Sequence, residues 1–214
     1  MRRFKIKQTE DQRVYYTSDT HYAHANMCRG VSQWGDLDNS TRNFKTLIEM
    51  NNELVNAINR TVRPKDILFH CGDWSFGNVS NVAEFRRRIH CENVHIIYGN
   101  HDDHIEDDET LHGHFSSVQH YKELAIDGDM LCLFHYKQTI WNKSHRDAYH
   151  LYGHSHAGAE HMVNGRSMDV GVDNAYKLLG EYRPFSHEEV LYFLKGRKQK
   201  AIDHHGAKGT ESHK

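Results

Sequence analysis

The N-terminal half of the chain alternates short apolar bursts with longer stretches of helical spacing, and this alternation restricts the fold more than any other feature. Residues 14–18, 66–70 and 94–98 are compact and apolar, as buried strands are. Between the first two, Phe44, Leu47, Ile48, Leu54, Val55 and Ile58 recur at helical spacing within residues 43–60, and Pro64 closes that segment. Val82, Phe85 and Ile89 place a second helix over residues 79–89. An order of strand, helix, strand, helix, strand favours parallel pairing, hence an α/β fold. Residues 117–126, 130–134, 149–152 and 167–172 are strand-like and separated by polar turns, so the second half is expected to be mainly β, with a terminal helix over residues 184–195.

A chain of 214 residues supports one substantial core, assigned here to residues 1–198, with a polar and flexible tail over 199–214. No apolar run approaches the ~20 residues of a membrane span, and the basic N-terminus lacks a signal-peptide core; a cytoplasmic protein is expected. Cys28, Cys71, Cys91 and Cys132 show no metal-type spacing and read as reduced, structural thiols. With a net charge of -2 the chain exerts no global pull on nucleic acid or anionic membranes, so an anionic ligand has to be gripped locally. The run Arg86, Arg87, Arg88 reads as the solvated face of a helix.

Histidine is over-used, at 20 of 214 residues, and its copies gather with Asp, Asn and Gly where strands end. The first three strands run into SDTHYAH, CGDWSFGN and YGNHDD, and two later ones into FHYK and YGHSH. Loops at the carboxyl ends of parallel strands form the ligand crevice of open α/β sheets, so these clusters should converge. Asp19 and His21 are two apart; on an extended segment both side chains leave one face and can grip one ion. Asp73 follows a glycine that permits a sharp turn, and its carboxylate can bridge ions ~3.5–4 Å apart. Asn100, also after a glycine, offers a neutral oxygen. His154 and His156, paired in a loop, can point to adjacent ions. An isolated Asp-x-His or Gly-Asp is common, but the ordered set with Gly-Asn-His-Asp is far more specific.

That ordered set resembles the calcineurin-like metallophosphoesterase superfamily, from residue 14 to the terminal helix. The resemblance implies a four-layer αββα sandwich. It assigns Asp19, His21, Asp73 and His156 to one metal, and Asp73, Asn100, His135 and His154 to the other, with His101 protonating the leaving group. SDTHYAHANM, FHYKQTIWN, YHLYGHSH and MDVGVDN are most similar to small members from bacteria and phages, and His24 is a candidate contact for substrate phosphate. Trp74, Ser75, Phe76 and Gly77 replace the Asp-Arg-Gly segment of protein phosphatases. Phe76 also stands where purple acid phosphatases carry a tyrosine ligand.

The activity so implied is hydrolysis of phosphomonoesters or phosphodiesters by a hydroxide bridging two divalent transition metal ions. Manganese is favoured by the resemblance, and iron, zinc, nickel and cobalt also suit imidazole and oxygen donors. The expected substrate is a small phosphate ester, a nucleotide among the options, with no membrane partner. A metal-dependent nuclease and a non-catalytic scaffold are the alternatives. Residues 22–42 and 103–116 are expected to frame the site, Trp34 and Trp141 could stack on a ring, and Asp169 and Asp173 are candidates to orient ligand histidines, outside the ligand set.

Overall fold

The computed structural model describes residues 4–162 and 165–198. In chain order the strands are β1 (Phe4–Ile6), β2 (Val14–Thr17), β3 (Ile67–His70), β4 (Asn93–Ile97), β5 (Ser117–Gln119), β6 (Tyr121–Ile126), β7 (Asp129–Phe134), β8 (Tyr149–Tyr152), β9 (Ser167–Asp169) and β10 (Phe185–Ser186). The helices are α1 (Leu37–Ser40), α2 (Leu47–Thr61), α3 (Val79–Arg88), α4 (Asp103–Glu106), α5 (Glu109–His112), α6 (Val172–Leu179) and α7 (His187–Leu194).

Strands form two sheets, ordered β10-β2-β3-β4-β5 and β1-β6-β7-β8-β9. In the first, β2 to β5 are all parallel, and only β10 runs against β2. Alternation along these strands explains why both faces are buried. Val14, Tyr16, Ile67 and Phe69 point into one core, which they share with Leu124, Leu131, Leu133 and Leu151 of the second sheet. Tyr15, Leu68, Val94 and Ile96 point the other way, onto Val55 and Ile58 of α2 and Val82 and Phe85 of α3. The sheets therefore pack face to face, with α2 and α3 outside the first, consistent with the expected sandwich. The outer face of the second sheet sends Cys132 against Trp141 and Ala148.

Local chemistry sets the ends of the helices. The Thr46 side chain accepts from Glu49 N, so α2 starts there and not at residue 43, and Phe44 packs just before it. Ser186 and Glu189 form a reciprocal capping box at the start of α7, and Phe185 and Ser186 before it pair with Tyr16 and Tyr15.

Three expectations from the sequence need correction. Residues 117–126 are not one strand: β5 pairs with β4 in the first sheet, and after His120 the chain enters the second sheet as β6. Residues 167–172 are strand only to Asp169, after which Gly171 caps α6. The arginine triplet is not simply a solvated face. Arg86 donates to the carbonyls of His114, Ile89 and Glu92, and Arg88 to Tyr22 Oη and Asn52 Oδ1. The tail expected over 199–214 lies outside the described residues. No helix among the described residues is long and apolar enough to cross a membrane.

Candidate metal centre

β2 ends at Thr17, and the next residues leave the sheet in tight left-handed turns. Asp19, His21, Asp73, His154 and His156 all have φ between 45° and 64°, a region that non-glycine residues seldom occupy. Asp19 and His21 thus meet through two positive-φ turns, not through the extended segment the sequence suggested. Such strain persists only where surrounding bonds over-determine it. The Asp19 and His21 amides donate to the Gly72 and Asp73 carbonyls at 2.9 and 3.0 Å. Buried Asp102 receives the amides of Asp73, Trp74 and Gly99 at 2.7, 3.0 and 2.9 Å, clamping the loops after β3 and β4 together. Buried Arg42 donates to the Asp19 and Thr20 carbonyls at 2.7 and 2.8 Å. Gly72, at φ +103°, makes the turn before Asp73, and a Cβ there would lie 2.5 Å from His135 Nδ1.

All seven expected ligands come together in one place. Asp19, His21 and His156 form one group able to hold an ion, and Asp73, His135 and His154 form a second. Asp19 Oδ1 lies 4.0 Å from both His21 Nε2 and His156 Nε2. Asn100 Oδ1 joins the second group, 3.0 Å from His135 Nε2 and 2.8 Å from His154 Nδ1. Asp73 Oδ2 stands between the groups, 3.4 Å from His21 Nε2 and 3.6 Å from His135 Nε2. His154 and His156 divide between the two groups, as expected of a pair in a loop.

Protonation tests whether these residues suit cations. His135 Nδ1 donates to the Cys71 carbonyl at 2.7 Å, which aims Nε2 at Asn100 Oδ1 and Asp73 Oδ2 and, in the tautomer that ligates a metal, sets its lone pair against theirs. Acceptors facing acceptors repel unless a cation lies among them. His156 repeats the pattern, with Nδ1 donating to Asp173 Oδ2 at 2.6 Å and Nε2 left for the site. Both ring nitrogens of His21 are buried without a hydrogen bond, a costly arrangement in a stable protein. Burial raises the Asp19 carboxyl well above the usual range against the pull of His156, with Asp169 and Asp73 adding to the rise; burial also drives His21 well below the usual imidazole range. Divalent ions would answer each of these tensions, so the donor set fits them.

Around the donors lies a cleft of about 330 Å³, walled in part by His24, Trp34, Phe76 and His101. The His101 amide donates to Asp73 Oδ1 at 2.9 Å, while its ring packs on His21 and Phe76 with centroids 5.3 and 5.5 Å apart. His24 packs on Phe76 with centroids 3.8 Å apart and planes 32° from parallel, its Nδ1 is buried without a hydrogen-bond partner, and burial with help from His101 and Arg42 lowers its pKa to about 4. Trp34 lines this cleft, but Trp141 is buried and donates to the Ala148 carbonyl, so it is a packing residue. Residues 103–116 do not frame the site, since Ile105, Leu111 and Phe115 pack into the core beside α3. Asp173 does orient His156, whereas Asp169 holds the loop itself by accepting from Ser155 Oγ, Ala157 N and Gly171 N.

Sequence reasoning assigned no role to Arg42 or Asp102. Asp102 closes the Gly-Asn-His-Asp motif and could have been suspected from it. Arg42 carries no local signal, because its partners are distant in sequence.

Comparison with known proteins bears on the family and the fold. An uncharacterized protein of Methanocaldococcus jannaschii is 26% identical over 200 residues, covering 90% of this chain and 97% of its own. The crystal structure of a protein of unknown function from Aquifex aeolicus shares the fold, with a TM-score of 0.57 at 20% identity over 85% of this chain and 99% of that one. The structure of a novel archaeal phosphodiesterase aligns at a TM-score of 0.41 and 18% identity over 81% of this chain and 99% of its own. Residues 13–168, well over half of the chain, match the calcineurin-like phosphoesterase superfamily domain, and the chain belongs to that superfamily.

Proposed function

We propose that the chain hydrolyses phosphomonoester or phosphodiester bonds with two divalent transition metal ions, manganese being the favoured metal. Asp19, His21, Asp73 and His156 would hold one ion, and Asp73, Asn100, His135 and His154 the other. The observation that carries this reading is Asp73 Oδ2 lying 3.4 Å from His21 Nε2 and 3.6 Å from His135 Nε2, between two separate donor groups. When bound, such a pair supplies Lewis acidity, bringing the pKa of a water near neutrality and neutralising phosphoryl oxygens.

The protein's own residues do the rest. Asp73 offers Oδ2 to both groups while the His101 amide fixes its Oδ1, so the bridge cannot rotate freely. The ring nitrogens of His101 bond no described residue and the ring faces the cleft, which suits a proton donor to the leaving oxygen. His24 lines the same cleft and is the candidate contact for a phosphoryl oxygen. A cleft of about 330 Å³ favours a small ester, and the engagement of Arg86 and Arg88 within the fold takes two of the three clustered arginines away from a nucleic-acid surface. The four cysteines are buried and form no disulfide among the described residues, in keeping with a cytoplasmic location.

The test compares hydrolysis of nitrophenyl phosphate, bis-nitrophenyl phosphate and single-stranded DNA before and after chelation. Ester hydrolysis should vanish on stripping and return with manganese. Undiminished turnover by stripped protein would overturn the proposal, and cleavage of DNA in preference to both esters would favour a nuclease.

A further inference from the structure

A second chamber, of about 540 Å³, opens beside the metal cleft and shares Met27, Trp34 and His156 with it. Its volume exceeds that of the cleft and falls within the ~300–1,000 Å³ of small-molecule sites. A phosphate gripped at the donors therefore has room on the His156 side for the organic group it is esterified to.

The lining says what that group is. Trp34 is 38% exposed and Tyr176 51% exposed, and both line the chamber. Tyr176 is held in place by buried Tyr182, with ring centroids 4.4 Å apart and planes 10° from parallel. Tyr182 is itself packed on Phe44 and lies under the Arg42 guanidinium. Trp34 is steadied by an edge contact with His24. Rigid aromatic faces left open to solvent suit a planar ring.

Charge argues against a second anion. Both cationic residues of the chamber are already paired, Arg42 with Asp173 at 2.8 Å and Arg29 with Asp38 at 2.9 Å. Exposed Asn43 also lines the chamber and leaves an amide for hydrogen bonding at a base edge. We propose that this chamber is a subsite for a nucleoside, seated on Trp34 and Tyr176, and that the substrates are nucleoside phosphate esters. The inference rests on the phosphoesterase reading for where the phosphate sits.

Calorimetric binding separates the two ideas, because it needs no turnover. Adenosine 5′-monophosphate, ribose 5-phosphate and inorganic phosphate are titrated into manganese-loaded wild type, Trp34→Ala and Tyr176→Ala. Wild type should bind the adenosine ligand at least about tenfold tighter than ribose 5-phosphate, as stacking of one base gives. Each variant should lose that preference, and Tyr176→Ala, which lies outside the metal cleft, should keep its affinity for inorganic phosphate. Trp34→Phe, which keeps an aromatic face, should retain most of the preference and guards against a folding artefact. Equal affinity of wild type for adenosine 5′-monophosphate and ribose 5-phosphate overturns the subsite, as does a preference that survives both alanine variants. Protein that discriminates through Trp34 but hydrolyses no ester keeps the subsite and sinks the phosphoesterase reading; protein that hydrolyses simple esters without discriminating does the reverse.

Discussion

Replacing Arg42 by leucine should damage the fold and the metal centre together. The guanidinium is 1% exposed and makes four bonds: to Asp173 Oδ1 at 2.8 Å, to Asp173 Oδ2 at 2.9 Å, and to the Thr20 and Asp19 carbonyls at 2.8 and 2.7 Å. Leucine leaves a mostly buried carboxylate without its cation, which costs about 3–5 kcal/mol, and strands two carbonyls that cost about 1–3 kcal/mol each when unsatisfied. These contributions overlap, so the expected loss is about 3–6 kcal/mol of a total near 5–15 kcal/mol. Urea unfolding measures it. The double variant Arg42→Leu/Asp173→Leu removes both charges and should recover at least about 2 kcal/mol relative to Arg42→Leu alone.

Acid unfolding gives an independent reading of the same pair. Burial would raise the Asp173 carboxyl, but Arg42 and His156 outweigh it and hold the group well below the usual carboxylate range. A depressed folded pKa contributes stability that is complete above the unfolded value near ~3.9 and declines as pH falls below it. In Arg42→Leu that acid-sensitive contribution should shrink, flattening the decline of stability between about pH 5 and pH 2. Because Asp173 also fixes the His156 ring, metal affinity should drop about 10- to 100-fold. A loss under about 1 kcal/mol with unchanged metal binding, or a double variant no more stable than the single one, would refute the reasoning.

Three further outcomes follow from the same geometry. His101→Ala should retain both metals by elemental analysis yet lose about 10²- to 10⁴-fold in turnover, and a variant that loses metal contradicts the role given to the ring. Gly153→Ala places a methyl against Ser18 Oγ and Asp19 Oδ2, so metal affinity by calorimetry should fall at least about tenfold; wild-type affinity would show that Asp19 is not constrained there. Asp102→Ala strands two buried amides and a part-buried one and should cost at least about 2 kcal/mol in urea unfolding, whereas a neutral result would show that the clamp between loops is not needed.

Much of the fold is legible because buried strands are short and apolar and because α2 and α3 keep a clean helical stripe. The site is legible because its ligands belong to few residue types and all follow strand ends. What is hidden is long-range or torsional. The break at His120 depends on which sheet offers β5 and β6 a partner, and the residues on either side look equally strand-like. α6 is hidden because Val170 and Val172 extend the pattern of β9, whereas the cap at Gly171 decides the matter. The turns at Asp19 and His21 are invisible because nothing in Ser-Asp-Thr-His announces a positive φ; the bonds from Arg42 and to the loop after β3 impose it. Arg42 itself acts across 131 positions to Asp173, and no local pattern reports such a pairing.

The central claim is that Asp73 is shared between two ions. Anomalous diffraction from crystals of manganese-loaded protein tests it most directly. Two peaks about 3.5–4 Å apart are predicted, one against Asp19, His21 and His156, the other against Asn100, His135 and His154, with Asp73 touching both. A single peak, or two peaks of which only one touches Asp73, would contradict the account.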